Sequence, residues 1–176
     1  LFCIQLFVFG STVNSTVQAQ PPKKSYQLVW SDEFNGQGLP DSTKWGYDVG
    51  TGSWGWGNNE QQYYTKDSLG NAKVSNGVLT ITARNQKMGD KKYTSARLVT
   101  RGKAAWTYGK IEVRAKLPKG LGTWPAIWML GKNIIEPGGF WTSTHGTVSW
   151  PACGEIDIME HWGNNQNFVQ SAMHTP

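Results

Sequence analysis

Three carboxylates fall within six positions of the run GEIDIMEHWG, at Glu155, Asp157 and Glu160, with apolar residues between them and Trp162 and two glycines alongside. Carboxyl groups brought this close can share the work on one bond. One attacks as a nucleophile, while its negative charge raises the pKa of the other, which keeps a proton for a leaving oxygen. Glycoside hydrolysis with retention uses such a pair about 5–5.5 Å apart. A third carboxylate between them can hydrogen-bond the nucleophile and tune it. Two other readings stay open. The acids can simply occupy a solvent-facing side, or Glu155, Asp157, Glu160 and His161 can form an oxygen-rich metal site. Strand carboxylates without a loop make a poor cage for calcium.

The spacing decides which element could present them. In a helix Glu155 and Asp157 would point to opposite sides, and β-branched Ile156 and Ile158 disfavour one. In a strand Glu155 and Asp157 share a face, and the isoleucines turn toward the core. Glu160, five residues after Glu155, would then join the isoleucines, where burying an unpaired carboxylate costs several kcal/mol. A β-bulge that takes up one residue at Ile158-Met159 returns Glu160 to the acidic face, and bulges recur beside active sites. The expectation is a bulged strand with all three acids on one side.

Aromatic neighbours fit the same chemistry. TWPAIWML supplies Trp124 and Trp128, and SWPACG supplies Trp150. The C–H face of a pyranose lies well on an indole while its hydroxyls need polar partners. Core packing is the competing role for each indole, most of all for Trp128 inside an apolar run. Ten Trp and 21 Gly in 176 residues, with 16% charged, describe a Gly-punctuated β protein with more indole than a core needs. The net charge of +5 raises nucleic acid as a partner, but the basic residues are scattered, with no run longer than Lys23-Lys24 or Lys91-Lys92. A solvated basic surface is the better reading, and no nucleic-acid partner is expected. Of the two cysteines, Cys3 and Cys153, the second stands alone in the body of the chain. It makes neither a disulfide framework nor a Cys-rich zinc site, and packing as a small residue competes with a catalytic thiol beside His161 or His145.

The elements that must carry these residues alternate with period two. Leu79, Ile81 and Ala83 oppose Thr80, Thr82 and Arg84, and Ile111, Val113, Ala115 and Leu117 oppose Lys110, Glu112, Arg114 and Lys116. With SARLVTR these read as antiparallel strands buried on one face. Ser75-Asn76-Gly77 is a hairpin signal, PAIWML reads as a central strand covered on both faces, and Asp41–Trp45 as a single helical turn. Strands with turns between them predict an all-β sandwich.

The first segment is uncharged and apolar to Phe9, and ends in Val17-Gln18-Ala19, a small-residue pattern suited to signal-peptide cleavage before Gln20. The apolar run is too short to span a membrane. Residues 1–19 are expected to be the remnant of a secretion signal, residues 20–25 a linker, and residues 26–176 a domain lacking its C-terminal strands. The expected location is outside the cytoplasm, extracellular or periplasmic.

At this point the residues resemble a known family. GEIDIME is similar to the active-site signature of glycoside hydrolase family 16, in the laminarinase-like form with the extra residue before the last Glu. YQLVWSDEFNG, WGNNEQQYYT, YGKIEVRAKLPKGLGTWPAIWMLG and SWPACGEIDIMEHWG follow in the order found in bacterial endo-β-1,3-glucanases of that family. The resemblance covers about residues 26–176. It implies a concanavalin-like β-jelly roll of two antiparallel sheets with a concave substrate cleft. It implies Glu155 as nucleophile, Glu160 as acid/base and Asp157 as helper between them. It implies Trp124, Trp128 and Trp150 as sugar platforms, Asn59 and Arg84 as polar substrate contacts, and His174 near the cleavage point. No cofactor is implied for catalysis. A structural calcium on the convex side is implied, with Glu33 as one ligand and the usual second carboxylate beyond Pro176. The stretch 132–152, with Pro137, Trp141 and His145, is longer than in the simplest members and is expected to shape subsites. The substrate implied is β-1,3-glucan of the laminarin type, with mixed-linkage β-1,3-1,4-glucan beside it, acted on by a monomer. The alternatives are a sulfated galactan as substrate, or a non-catalytic glucan-binding protein on the same fold.

Overall fold

The turn at Asn76-Gly77 shows how local sequence sets the frame. Both residues have positive φ, 53° and 73°, the geometry that two-residue hairpins require and that Asn-Gly supplies. They join β3 (Ala72–Ser75) to β4 (Val78–Ile81) in antiparallel register, with Ser75 opposite Val78. The computed structural model describes residues 26–134 and 142–176. The expected signal segment 1–19, the linker 20–25 and the part of the long loop from 135 to 141 lie outside the described residues.

The remaining elements are β1 (Gly46–Asp48), a π-type turn (Gly55–Asn59), β2 (Gln62–Tyr64), β5 (Arg84–Met88), β6 (Lys91–Ser95), β7 (Arg97–Val99), β8 (Ala126–Leu130), a short α1 (Thr142–His145), β9 (Glu155–Glu160) and β10 (Gln170–His174). They form small sheets with orders β1-β7, β2-β6-β5, β3-β4 and β10-β9-β8. All pairings are antiparallel except β2 with β6, which is parallel. The expected turn at Asp41–Trp45 is present: Lys44 and Trp45 donate to the Asp41 carbonyl, and Asp41 Oδ1 accepts from the Thr43 N–H at 2.8 Å.

Three expected elements differ. The run 78–84 is not one strand: β4 ends at Ile81 and β5 begins at Arg84, and the face expected to be buried is open, with Ile81 49% exposed and Ala83 exposed, because nothing among the described residues packs on it. Residues 110–117 form no strand. Their alternation does turn Ile111, Val113, Ala115 and Leu117 toward Ile127, Ile158 and Met159, across a cavity of about 460 Å³. A strand exists only with a partner, and the described residues offer this segment none, so Val113 remains 54% exposed. PAIWML does form β8, but among the described residues it lies at the edge of its sheet. The strand paired on both sides is β9, the acidic one.

Buried apolar side chains among the described residues are few and small: Ala72, Val74 and Ala96. Polar groups tie the elements instead. Asn71 is buried and donates to the Thr82 carbonyl and to Thr94 Oγ1, while its Oδ1 accepts from Thr65 Oγ1 at 3.0 Å. That network ties the start of β3 to the end of β4 and to β6 through the satisfied amide of Asn71. Three indoles pack elsewhere: Trp30 meets Trp45 and Trp106 edge-on, each at 5.5 Å between ring centroids. These tryptophans are structural.

Candidate active site

The acidic strand β9 carries the expected bulge. Leu130, Met129 and Trp128 of β8 face Glu155, Ile156 and Asp157 in order; the register then slips, so that Ile127 faces Met159 and Ala126 faces Glu160. On the other side His174 faces Glu155, Ala172 faces Asp157 and Gln170 faces Glu160, with the same slip. Ile158 is therefore the extra residue. Its carbonyl, displaced from the ladder, accepts from Ser171 Oγ at 2.9 Å. Glu155, Asp157 and Glu160 end on one face together with Ala126, Trp128, Gln170 and His174, as strand alternation requires. Burial runs against polarity here: Asp157 and Glu160 are 5% and 8% exposed, whereas Ile156 on the opposite face is 46% exposed. The isoleucine face was expected to lie in the core. Among the described residues Ile156 is left half-exposed.

Each glutamate is held by an indole. Trp150 Nε1 donates to Glu155 Oε2 at 3.0 Å, and Trp124 Nε1 donates to Glu160 Oε1 at 2.9 Å. The second oxygen of Glu160 accepts from Gln170 Nε2 at 2.9 Å. Both indoles remain open to solvent, Trp124 at 44% and Trp150 at 53%. They are not core. His174 Nε2 lies 3.0 Å from Asp157 Oδ2 and 3.8 Å from Glu155 Oε1. The pKa of Glu155 is raised, first by burial and then by the charge of Asp157; charge on His174 and the Trp150 N–H oppose the rise.

Trp128 sits opposite Asp157 on the acidic face, half-buried. One face of its ring is covered by the Arg97 guanidinium at 4.6 Å, and the same guanidinium lies 4.6 Å from the Trp56 ring. Arg97 Nε is 3.0 Å from Asp48 Oδ2 without the alignment of a hydrogen bond, and Arg101 Nη1 donates to Asp48 Oδ1 at 2.8 Å. Arg97, Trp56 and Asp48 carried no signal of their own in the sequence, because an Arg in an alternating strand reads as its solvent face. The pairing becomes visible only in three dimensions.

Asn59 ends the π-type turn that also carries Trp56, and it is exposed with φ 53°. The turn is tight enough to need its glycines: a Cβ on Gly55 would lie 2.4 Å from the Glu60 nitrogen. Trp56 reaches the acidic face through Arg97, so Asn59 stands on a turn anchored to the site. Arg84 opens β5 opposite Thr94 and beside Gly70. Among the described residues no hydrogen bond, ion pair or ring contact joins Arg84 to the acids. Arg97 is the arginine that packs against the acidic sheet, on the Trp128 ring.

Metal ligation has one geometric candidate among the described residues. Single donor atoms of Glu155, Asp157 and His174 lie within 4.8 Å of one another. The alternative set that adds Glu160 and His161 is not assembled, because His161 is buried at 2% exposure with Nδ1 2.8 Å from the Phe168 carbonyl. Glu33, the expected calcium ligand, is exposed. Its neighbour Asp32 is occupied by the Phe34 N–H, Trp45 Nε1 and Lys44. Glu33 is thus the exposed carboxylate beside an Asp32 already engaged at that turn. Cys153 is half-buried and free, and burial raises its pKa, which suits a packed thiol rather than a nucleophile. No described helix is long and apolar enough to cross a membrane.

Comparison with known proteins gives the family and the fold. Residues 10–159 match the family model described as beta-glucan synthesis-associated protein SKN1/KRE6/Sbg1. A beta-glucanase of Rhodothermus marinus is 55% identical over 174 residues, covering 99% of this chain and 56% of the relative. The crystal structure of the laminarinase from Rhodothermus marinus superposes with a TM-score of 0.75, covering 85% of this chain and 55% of that one. LamA from Z. galactanivorans, solved as its E269S variant with laminaritriose and laminaritetraose, superposes at 0.76 with 47% identity over 84% of this chain and 60% of that one. The chain thus spans about half the length of the relatives it matches. The fold is the all-β jelly roll of the laminarinases. With a bulged acidic strand, indole-held glutamates and these relatives, the chain belongs to the SKN1/KRE6/Sbg1 family and to the laminarinase-like proteins of glycoside hydrolase family 16.

Proposed function

We propose that the complete protein is a secreted, retaining endo-glycosidase that hydrolyses β-1,3-glucan of the laminarin type. The observation that carries this reading is the pairing of each glutamate with a half-exposed indole on one face of β9. A sugar laid on such an indole is set beside a carboxylate. Glu155, with Oε2 held by Trp150, attacks the anomeric carbon through Oε1 as the glycosidic bond breaks. Glu160 gives its proton to the leaving oxygen. Water, deprotonated by Glu160, then cleaves the glycosyl ester, and both carboxyls return to their starting states. Asp157, clamped by His174, fixes the nucleophile and tunes it electrostatically.

The uncharged leader 1–19 supports export, and the laminarin-type substrate is supported by the laminarinase relatives. Mixed-linkage β-1,3-1,4-glucan is proposed as a second substrate. Asn59, Arg84 and Trp128 are proposed as further contacts, and the protein as a monomer. A structural calcium through Glu33 would need its other ligands from elsewhere in the protein. The test is release of reducing ends from laminarin by the complete protein, without added cofactor. Glu155→Gln removes the nucleophile but little volume, so turnover should fall by orders of magnitude while substrate binding persists. Unchanged turnover in that variant would overturn the assignment. Binding of laminarin without turnover by the wild type would favour a glucan-binding protein instead.

A further inference from the structure

We propose that Trp162, which follows the acidic strand, is a positioning residue that sets the orientation of Trp124 and, through it, the acid/base end of the cleft; this role rests on the function proposed above. The Trp162 ring stacks on the Trp124 ring, with centroids 5.8 Å apart and planes 23° from parallel. Trp124 performs two tasks at once. Its indole N–H holds Glu160 Oε1 at 2.9 Å, and its ring is 44% exposed toward solvent. Any rotation about its side-chain bonds moves both the sugar platform and the Glu160 contact together. Trp162 backs one face of that ring, so a pyranose has the other.

The backbone is built to hold the two indoles side by side. Beyond β9, the His161 N–H donates to the Pro125 carbonyl, the Gly163 N–H to the Thr123 carbonyl and the Gly120 N–H to the Gly163 carbonyl. Residues 161–163 are thereby laced to 120–125. Gly163 lets the two segments approach: a Cβ there would meet Thr123 Oγ1 at 2.0 Å and the Gly120 carbonyl oxygen at 2.1 Å. His161, buried with its ring on the Phe168 carbonyl, fixes the segment from below. Trp162 is the side chain that this lacing turns onto Trp124. The stacking of such an aromatic pair is enough to select one ring orientation by up to about tenfold.

The experiment compares the complete wild-type protein with Trp162→Phe and Trp162→Leu. Phe keeps a stacking face, whereas Leu keeps apolar bulk without one. Steady-state kcat and KM on laminarin are measured below the melting transition of each variant, which is recorded alongside. The expected result is that Leu lowers kcat/KM by about tenfold, with a larger loss in kcat than gain in KM, and that Phe restores most of it at similar thermal stability. Equal kinetics for Leu and wild type, or equal losses in Leu and Phe, would overturn the positioning role and leave Trp162 as packing. A wild type inactive on every glucan would overturn the proposed function, and this role with it. Indifference at Trp162 in an active enzyme overturns this role alone.

Discussion

Glu155 is surrounded by groups that push its charge in opposite directions, and those directions give a paired test. Burial and the Asp157 carboxylate raise its pKa, while His174 charge and the Trp150 N–H lower it. A nucleophile must be ionised, so the raised pKa moves the acid limb of the activity profile upward. Asp157→Asn removes a like charge and should move that limb to lower pH; His174→Gln removes a favourable charge and should move it to higher pH. A profile of kcat/KM against pH for both variants checks the signs, and shifts in the same direction would refute the electrostatic account. The indoles separate by the same reasoning. Trp124→Ala and Trp150→Ala should raise KM by about tenfold or more with a modest loss of stability, because both rings are largely open. A loss of about 3–5 kcal/mol in a melting curve would instead mark them as core. Asp48→Ala should be the reverse case. It strands Arg97 between two indoles and should cost stability of about 3–5 kcal/mol, as broken buried pairs do, read by denaturant unfolding.

At the scale of elements, the odd spacing in GEIDIMEHWG was legible from first principles: a buried unpaired carboxylate is too costly, so the strand must bulge. The ladder slips at the residue expected, and Ser171 satisfies the freed Ile158 carbonyl. Deleting Met159 leaves Glu-Ile-Asp-Ile-Glu, in which plain alternation puts all three acids on one face. That variant should retain some activity on laminarin, whereas an Ala inserted after Met159 should abolish it by turning Glu160 away. Activity in the insertion variant and none in the deletion variant would contradict the bulge as the organising feature. The hairpin at Asn76-Gly77 and the turn at Asp41 were equally legible, because each depends on neighbours in sequence. Residues 110–117 were not, since alternation reports which side is apolar and says nothing about a partner. The edge position of β8 escaped for the same reason: an apolar run does not say how many strands flank it. Arg97 was missed because its partners Asp48, Trp56 and Trp128 come from three separate parts of the chain.

The whole molecule shows what its size implies. The chain spans about half the length of its relatives, and its buried apolar side chains among the described residues are three small ones. The apolar face formed by Ile111, Val113, Ile127, Ile158 and Met159 borders an open cavity of about 460 Å³, on the side of β9 away from the acids. Among the described residues the acidic face therefore rests on polar networks, indole contacts and a bulged ladder rather than on a large apolar core. This is why the complete protein is the right object for every kinetic test. The resemblance of motifs reached the family correctly because the signature residues sit on the one sheet that alternation and electrostatics could specify. The central claim is that Glu155 and Glu160, set on one face by the bulge, act as nucleophile and acid/base in a double displacement. The most direct measurement follows the anomeric proton of newly released reducing ends by NMR during early hydrolysis of laminarin. The account predicts that the β-anomer accumulates first and the α-anomer grows only by mutarotation. Initial release of the α-anomer would contradict it.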